Sequence, residues 1–198
     1  MEIVKNTEKK IILHLFKELN KNHTITTLSK DLSFSRTGIW KILNKLEKKE
    51  YIKLDAIGSG KTSTAIININ WENILLEKTI ALYLTEEAVR QRRWLVNFAK
   101  LEKDTEFTIL FGSILNSTKD ANDIDIINVV KKKQFIKIQS TLDNIQKTEI
   151  KKIHSINFTQ NEFENEINKQ NKAILDSIKK GVILYGQEKF VEFIKRLK

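Results

Sequence analysis

The sequence predicts a mixed α/β (α+β) protein in two domains joined by helices, on three observations. Near the N-terminal end, three stretches with apolar residues at helical spacing precede two short strand-like runs around a glycine pair. Further along, the apolar runs Phe107–Phe111 and Ile124–Val130 frame a Gly-Ser step and an Asp-x-Asp step. Between them, from about Asn70 to Lys103, the pattern is helical, with no Pro- or Gly-rich linker. The expected layout is therefore a first domain over residues 1–70, a helical connector over 71–85 and a second domain over 86–198.

Composition narrows the function classes. With 40% hydrophobic and 30% charged residues, the 198-residue chain has the balance of a globular protein. No apolar run reaches the ~18–20 residues of a membrane span, and MEIVKNTEKK lacks the apolar core of a signal peptide. A cytoplasmic protein with no membrane partner is expected. The absence of cysteine excludes disulfides and thiolate metal sites, and His14, His23 and His154 show no ligand spacing. The net charge is +10 and is denser at the N-terminal end, where residues 1–64 hold 13 Lys/Arg against 7 Asp/Glu. Such an excess attracts nucleic-acid phosphates, although a Lys-rich surface also simply solvates a protein.

In the first domain, Ile11, Ile12, Leu15, Phe16 and Leu19 give one apolar helical stripe. A short second helix fits Thr26–Leu32, with Ile25, Leu28 and Leu32 inward. Ser35 is a candidate N-cap for a third helix reaching about Lys49, with Ile39, Leu43 and Leu46 on its apolar face. Its other face carries Arg36, Thr37, Trp40, Lys41 and Asn44. Two strands, about Tyr51–Ile57 and Thr62–Ile69, follow around Gly58-Ser59-Gly60-Lys61. Three helices and a glycine-turned hairpin are the order of a winged helix-turn-helix. The stretch LSKDLSFSRTGIWKILNKLEKKEYIKL resembles the corresponding part of MarR-like prokaryotic regulators over roughly residues 8–69. That resemblance implies a third helix in the major groove of double-stranded DNA. Ser35, Arg36, Thr37, Trp40, Lys41 and Asn44 are then the candidate contacts, with Lys61 on the backbone from the wing tip. Trp40 packs either against the second helix or against DNA.

In the second domain, Phe107–Phe111 reads as a buried strand stopping at Gly112-Ser113. If Asp123-Ile124-Asp125 opens another strand, both carboxylates project from one face about 7 Å apart, while Ile124 and Ile126 face the core. Carboxylates so placed can ligate a hard divalent cation. Gly112 permits close backbone approach to a phosphate, Ser113 can donate hydrogen bonds to it, and a helix from about Ile114 would add its positive N-terminus. This arrangement is similar to the DNA polymerase β-type nucleotidyltransferase superfamily. The match extends over roughly residues 86–198, with Glu86–Lys103 as the preceding helix and KKGVILYGQEKF as the closing region.

The resemblance implies Asp123 and Asp125 as catalytic residues and Mg2+ ligands, and Gly112 and Ser113 as nucleotide-binding residues. The cofactors are Mg2+ and a nucleoside triphosphate, ATP being the expected one. The family's third carboxylate belongs on a later strand, here about Ile150–Thr159, and that segment holds no Asp or Glu. Catalysis is therefore left open. One reading is a DNA-binding transcriptional regulator whose nucleotidyltransferase-like domain binds a magnesium nucleotide. The alternative is an active, antitoxin-like minimal nucleotidyltransferase that transfers AMP or another nucleotide to a protein or RNA hydroxyl, beside a helical toxin-like partner. A third reading makes both domains assembly modules. The amphipathic stretch Trp71–Leu84, with Ile74, Leu75, Ile80 and Leu84, either pairs two subunits or covers the neighbouring elements. A homodimer is the expectation if the first domain reads a two-fold DNA site.

Overall fold

The computed structural model describes residues 2–57 and 64–198, with side chains from Thr7 onward. It is a mixed α+β protein with two sheets, divided into two compact units, Met1–Ile80 and Ala81–Lys198.

The first unit opens with α1 (Glu2–Lys17), α2 (Ile25–Leu32) and α3 (Arg36–Lys48). Thr24 caps α2 in a reciprocal box with Thr27, and Ser33, in the left-handed region at φ 56°, closes it. The Ser35 hydroxyl accepts the Gly38 amide at 3.1 Å and starts α3. Ile11, Ile12, Phe16, Leu28, Ile39, Leu43 and Leu46 are buried together at the helical spacing that the sequence shows. Each such side chain contributes roughly 1.5–3 kcal/mol. Strands β1 (Ile52–Ile57) and β2 (Thr64–Ile69) pair antiparallel from Ile52↔Ile69 to Ile57↔Thr64. The Ile67 amide also donates to the His23 carbonyl at 2.8 Å, tying β2 to the segment before α2. Gly58, Gly60 and Lys61, at the expected wing tip, lie outside the described residues.

Helix α4 (Ile74–Arg90) contains the boundary at Ile80. Ile80 and Leu84 are buried on it, whereas Ile74 and Leu75 are each 70% exposed. The single helix expected over Glu86–Lys103 is broken instead: α4 ends at Arg90, α5 covers Arg92–Asn97, and a 3-10 turn covers Ala99–Leu101. Trp94, Phe98 and Leu101 are nonetheless all buried, because the breaks turn each of them into the same core.

The second unit is built on a four-stranded sheet in the order β5-β4-β3-β6. Its strands are β3 (Phe107–Phe111), β4 (Asp123–Val129), β5 (Lys152–Phe158) and β6 (Val182–Tyr185). β3 runs antiparallel to both β4 and β6, whereas β4 and β5 are parallel. A parallel pair needs a crossover, here α6 (Phe135–Gln146). One sheet face packs Leu110, Ile124, Ile126 and Val130 against Trp94, Phe98, Ile138 and Leu142. At one end of the opposite face, Phe107 packs edge-on against Phe190 at 5.1 Å and Phe163 at 5.7 Å. Phe163 lies on α7 (Gln160–Asn168), and Phe190 lies on α9 (Gln187–Arg196), after α8 (Lys172–Lys180).

A buried polar bridge holds the register of β3, β4 and β5. The Thr108 hydroxyl donates to the Asn128 carbonyl oxygen at 2.9 Å. The Asn128 amide nitrogen donates to Ser155 Oγ at 3.1 Å and Asn157 Oδ1 at 3.0 Å. A one-residue slip would reverse the faces of β5 and leave the fully buried Asn128 unpaired, a cost of about 1–3 kcal/mol.

Candidate functional site

The site forms where the N-terminal half of β4 crosses its neighbours. Phe111, the last residue of β3, stands opposite Asp125, and His154 of β5 stands beside Asp125 on the other side. In-register residues share a face, so Asp123, Asp125 and His154 converge on the face opposite Ile124 and Ile126. His154 Nδ1 lies 3.3 Å from Asp123 Oδ2 and 3.6 Å from Asp125 Oδ1. One potential ligand atom from each of the three lies within 4.8 Å of the others, a cluster able to hold a metal ion.

The site is open to water, with side-chain exposures of 34% for Asp123, 26% for Asp125 and 45% for His154. Burial holds the Asp125 carboxyl above its ordinary value, and the Asp123 charge adds to this, while His154 offsets part of it. A bound cation would counter both raising effects by favouring the charged carboxylate.

Gly112 has φ 84°, and a Cβ there would sit 2.3 Å from Asp125 Oδ2. Glycine therefore serves both the backbone turn and the room around the carboxylate. Ser113 follows at the surface. The helix expected from Ile114 is instead a 3-10 turn over Ser113–Leu115. A turn of three residues stacks too few peptide dipoles to present a helix N-terminus. Any anion contact here comes from the Gly112-Ser113 backbone and hydroxyl.

The histidines do not all lie apart from chemistry, as their spacing suggested. His23 is buried in the first unit, where burial pushes its imidazole down to about 4, but His154 joins the two aspartates. Lys152, exposed and in register with Asp123, is a second residue that the motif did not include. The available signal was alternation: Lys152 and His154 occupy same-face positions in the strand searched for a third acid. Beyond His154, a cavity of about 340 Å³ lies between α6 and β5, with Gln139, Gln146 and Ser155 among its lining.

In the first unit, Ser35, Arg36, Thr37 and Lys41 are exposed, and Asn44 is half-buried. Trp40 is 44% exposed. These residues share the outward face of α3, opposite the buried Ile39, Leu43 and Leu46. Among the described residues, no carboxylate forms an ion pair with Arg36 or Lys41. No helix among the described residues is long and apolar enough to cross a membrane. No family model, no curated protein and no solved structure matches this chain.

Proposed function

We propose that the chain is a DNA-binding regulator whose second unit holds a divalent cation and, with it, the phosphates of a nucleoside triphosphate. The observation that carries this reading is the convergence of Asp123, Asp125 and His154 beside the Gly112-Ser113 turn. Two carboxylates on one strand face suit a cation such as Mg2+, and ATP is the expected nucleotide. When bound, the cation neutralises triphosphate charge and fixes its geometry. Gly112 lets the backbone turn pass close beside the Asp125 carboxylate, Ser113 offers donors to a phosphate oxygen, and exposed Lys152 adds positive charge. The similarity of this pattern to the polymerase β-type nucleotidyltransferases supports the same assignment.

The DNA-binding half rests on the exposed face of α3, where Arg36, Thr37, Trp40 and Lys41 stand clear of the core. Three helices followed by an antiparallel pair of strands are the order of a winged helix, and the charge excess is densest in this unit. Two copies on a two-fold DNA site follow from that reading.

Calorimetric titration with ATP and a divalent cation tests the site. Binding that needs the cation and weakens at least about 100-fold in Asp123→Asn/Asp125→Asn is expected. Cation-independent binding, or equal binding by the variant, overturns the assignment.

His154 favours a second reading, catalysis. An acceptor hydroxyl of a protein or RNA attacks the α-phosphorus, a new P–O bond forms as the bond to pyrophosphate breaks, and His154 accepts the hydroxyl proton. Transfer of label from α-labelled ATP to an acceptor, lost in Asp123→Asn, supports this. Absence of labelling on any encoded neighbour or cellular RNA counts against it.

A further inference from the structure

We infer that the cation selected by this cluster is a nitrogen-accepting first-row transition ion rather than magnesium, with His154 as its third ligand. The inference rests on the reading of Asp123 and Asp125 as cation ligands and adds the identity of what they bind.

Three features carry it. The first is position. The parallel register places His154 directly beside Asp125, and Nδ1 lies between the two carboxylates at 3.3 and 3.6 Å. The three ligand atoms fall within 4.8 Å of one another, a spread that one ion about 2.0–2.3 Å from each can bridge after small side-chain rotations. The second is the lack of any packing role. His154 is exposed at 45% on an edge strand, where packing alone would accept many residues. The polar groups beside its Nδ1 are the two aspartate carboxylates. The third is the placement of the carboxylate. A Cβ on Gly112 would lie 2.3 Å from Asp125 Oδ2, so glycine at this position is what lets that carboxylate stand at the cluster.

Ligand chemistry then chooses the ion. Mg2+ demands a near-ideal octahedron, dehydrates reluctantly and is held by oxygen. Imidazole nitrogen suits the first-row transition ions, whose affinity for a given oxygen and nitrogen site rises from manganese to copper and falls again at zinc. Mn2+, the weakest binder of the series, is therefore the most stringent probe of the preference. Two aspartate oxygens and one imidazole also leave coordination positions for phosphate oxygens, and Mn2+ accepts both donor types. A third carboxylate in the place of His154 would remove this preference.

The test titrates Mn2+ and Mg2+ alone into the full chain, with wild type, His154→Asn, His154→Asp and Asp123→Asn/Asp125→Asn compared by calorimetry. The Mn2+ complex is also examined by electron spin-echo spectroscopy for a directly bound nitrogen. Wild type is expected to bind Mn2+ at least about tenfold tighter than Mg2+ and to show nitrogen coupling. His154→Asn should lose the coupling and most of the preference, and His154→Asp should gain Mg2+ affinity. Aspartate-dependent binding without nitrogen coupling, or equal affinities for the two ions, overturns the role of His154 and leaves the aspartate site standing. Failure of both ions to bind, or binding that survives the double aspartate substitution, overturns the site and this inference together. The wild-type spectrum decides the ligand question even where a variant fails to fold.

Discussion

The two candidate surfaces are assembled in different ways. In the first unit every described candidate lies on α3 or at its N-cap, so one helix period brings Arg36, Thr37, Trp40 and Lys41 to a common face. In the second unit the cluster takes residues from two strands, and His154 lies 29 positions after Asp125 in the chain. Only the parallel pairing of β4 with β5 joins them. A surface made by local periodicity tolerates changes elsewhere in its unit. A surface made by strand register depends on the residues that hold the register and the turn beside it.

Gly112→Ala gives the largest expected effect on this contrast. The added Cβ would press on Asp125 Oδ2 at 2.3 Å, in a backbone region that alanine resists at φ 84°. Cation affinity should fall roughly 10–100-fold in calorimetry, while DNA affinity measured on the same protein stays unchanged. Parallel loss of both would mean that the two surfaces do not behave as separate ones.

A smaller change is expected from Arg36→Ala/Lys41→Ala. If both side chains reach phosphates, the slope of log affinity for duplex DNA against log salt should become shallower by about two. Cation binding should not move. An unaltered slope would remove α3 from the DNA surface.

The smallest effect belongs to Ser35→Ala. Loss of the hydroxyl that accepts the Gly38 amide should cost about 1 kcal/mol of stability, read from the urea midpoint of the first unfolding transition. DNA affinity falling by much more than this would give Ser35 a direct contact as well as a capping role.

Much of the element order was legible because its determinants are local. The stripe Ile39, Leu43, Leu46 and the cap at Ser35 announce α3 within a few residues of its observed ends. The alternation of Asp123, Ile124, Asp125 and Ile126 is visible without any partner strand, and the structure buries Ile124 and Ile126 while leaving both aspartates accessible. Other features were hidden because they depend on contacts remote in sequence. Apolar spacing over 86–103 is compatible with one continuous helix, and only the shared core of Trp94, Phe98 and Leu101 breaks it into pieces. The stretch holding Ile80 and Leu84 reads either as a subunit seam or as cover for neighbouring elements, and the fold buries both residues within the chain.

By itself, the sequence determined the mixture of helices and strands, the outward face of α3 and the pairing of Asp123 with Asp125 on one side of β4. Periodicity and capping act over one or two turns or along a single strand, so each of these needs no distant partner. Only the tertiary structure decided that His154, and not an acid, completes the cluster, and that the turn after Gly112 is too short to offer a helix N-terminus. The first is a matter of register between strands far apart in the chain, held by Asn128 and its partners. The second reflects how few residues the chain can keep helical between Gly112 and its entry into β4.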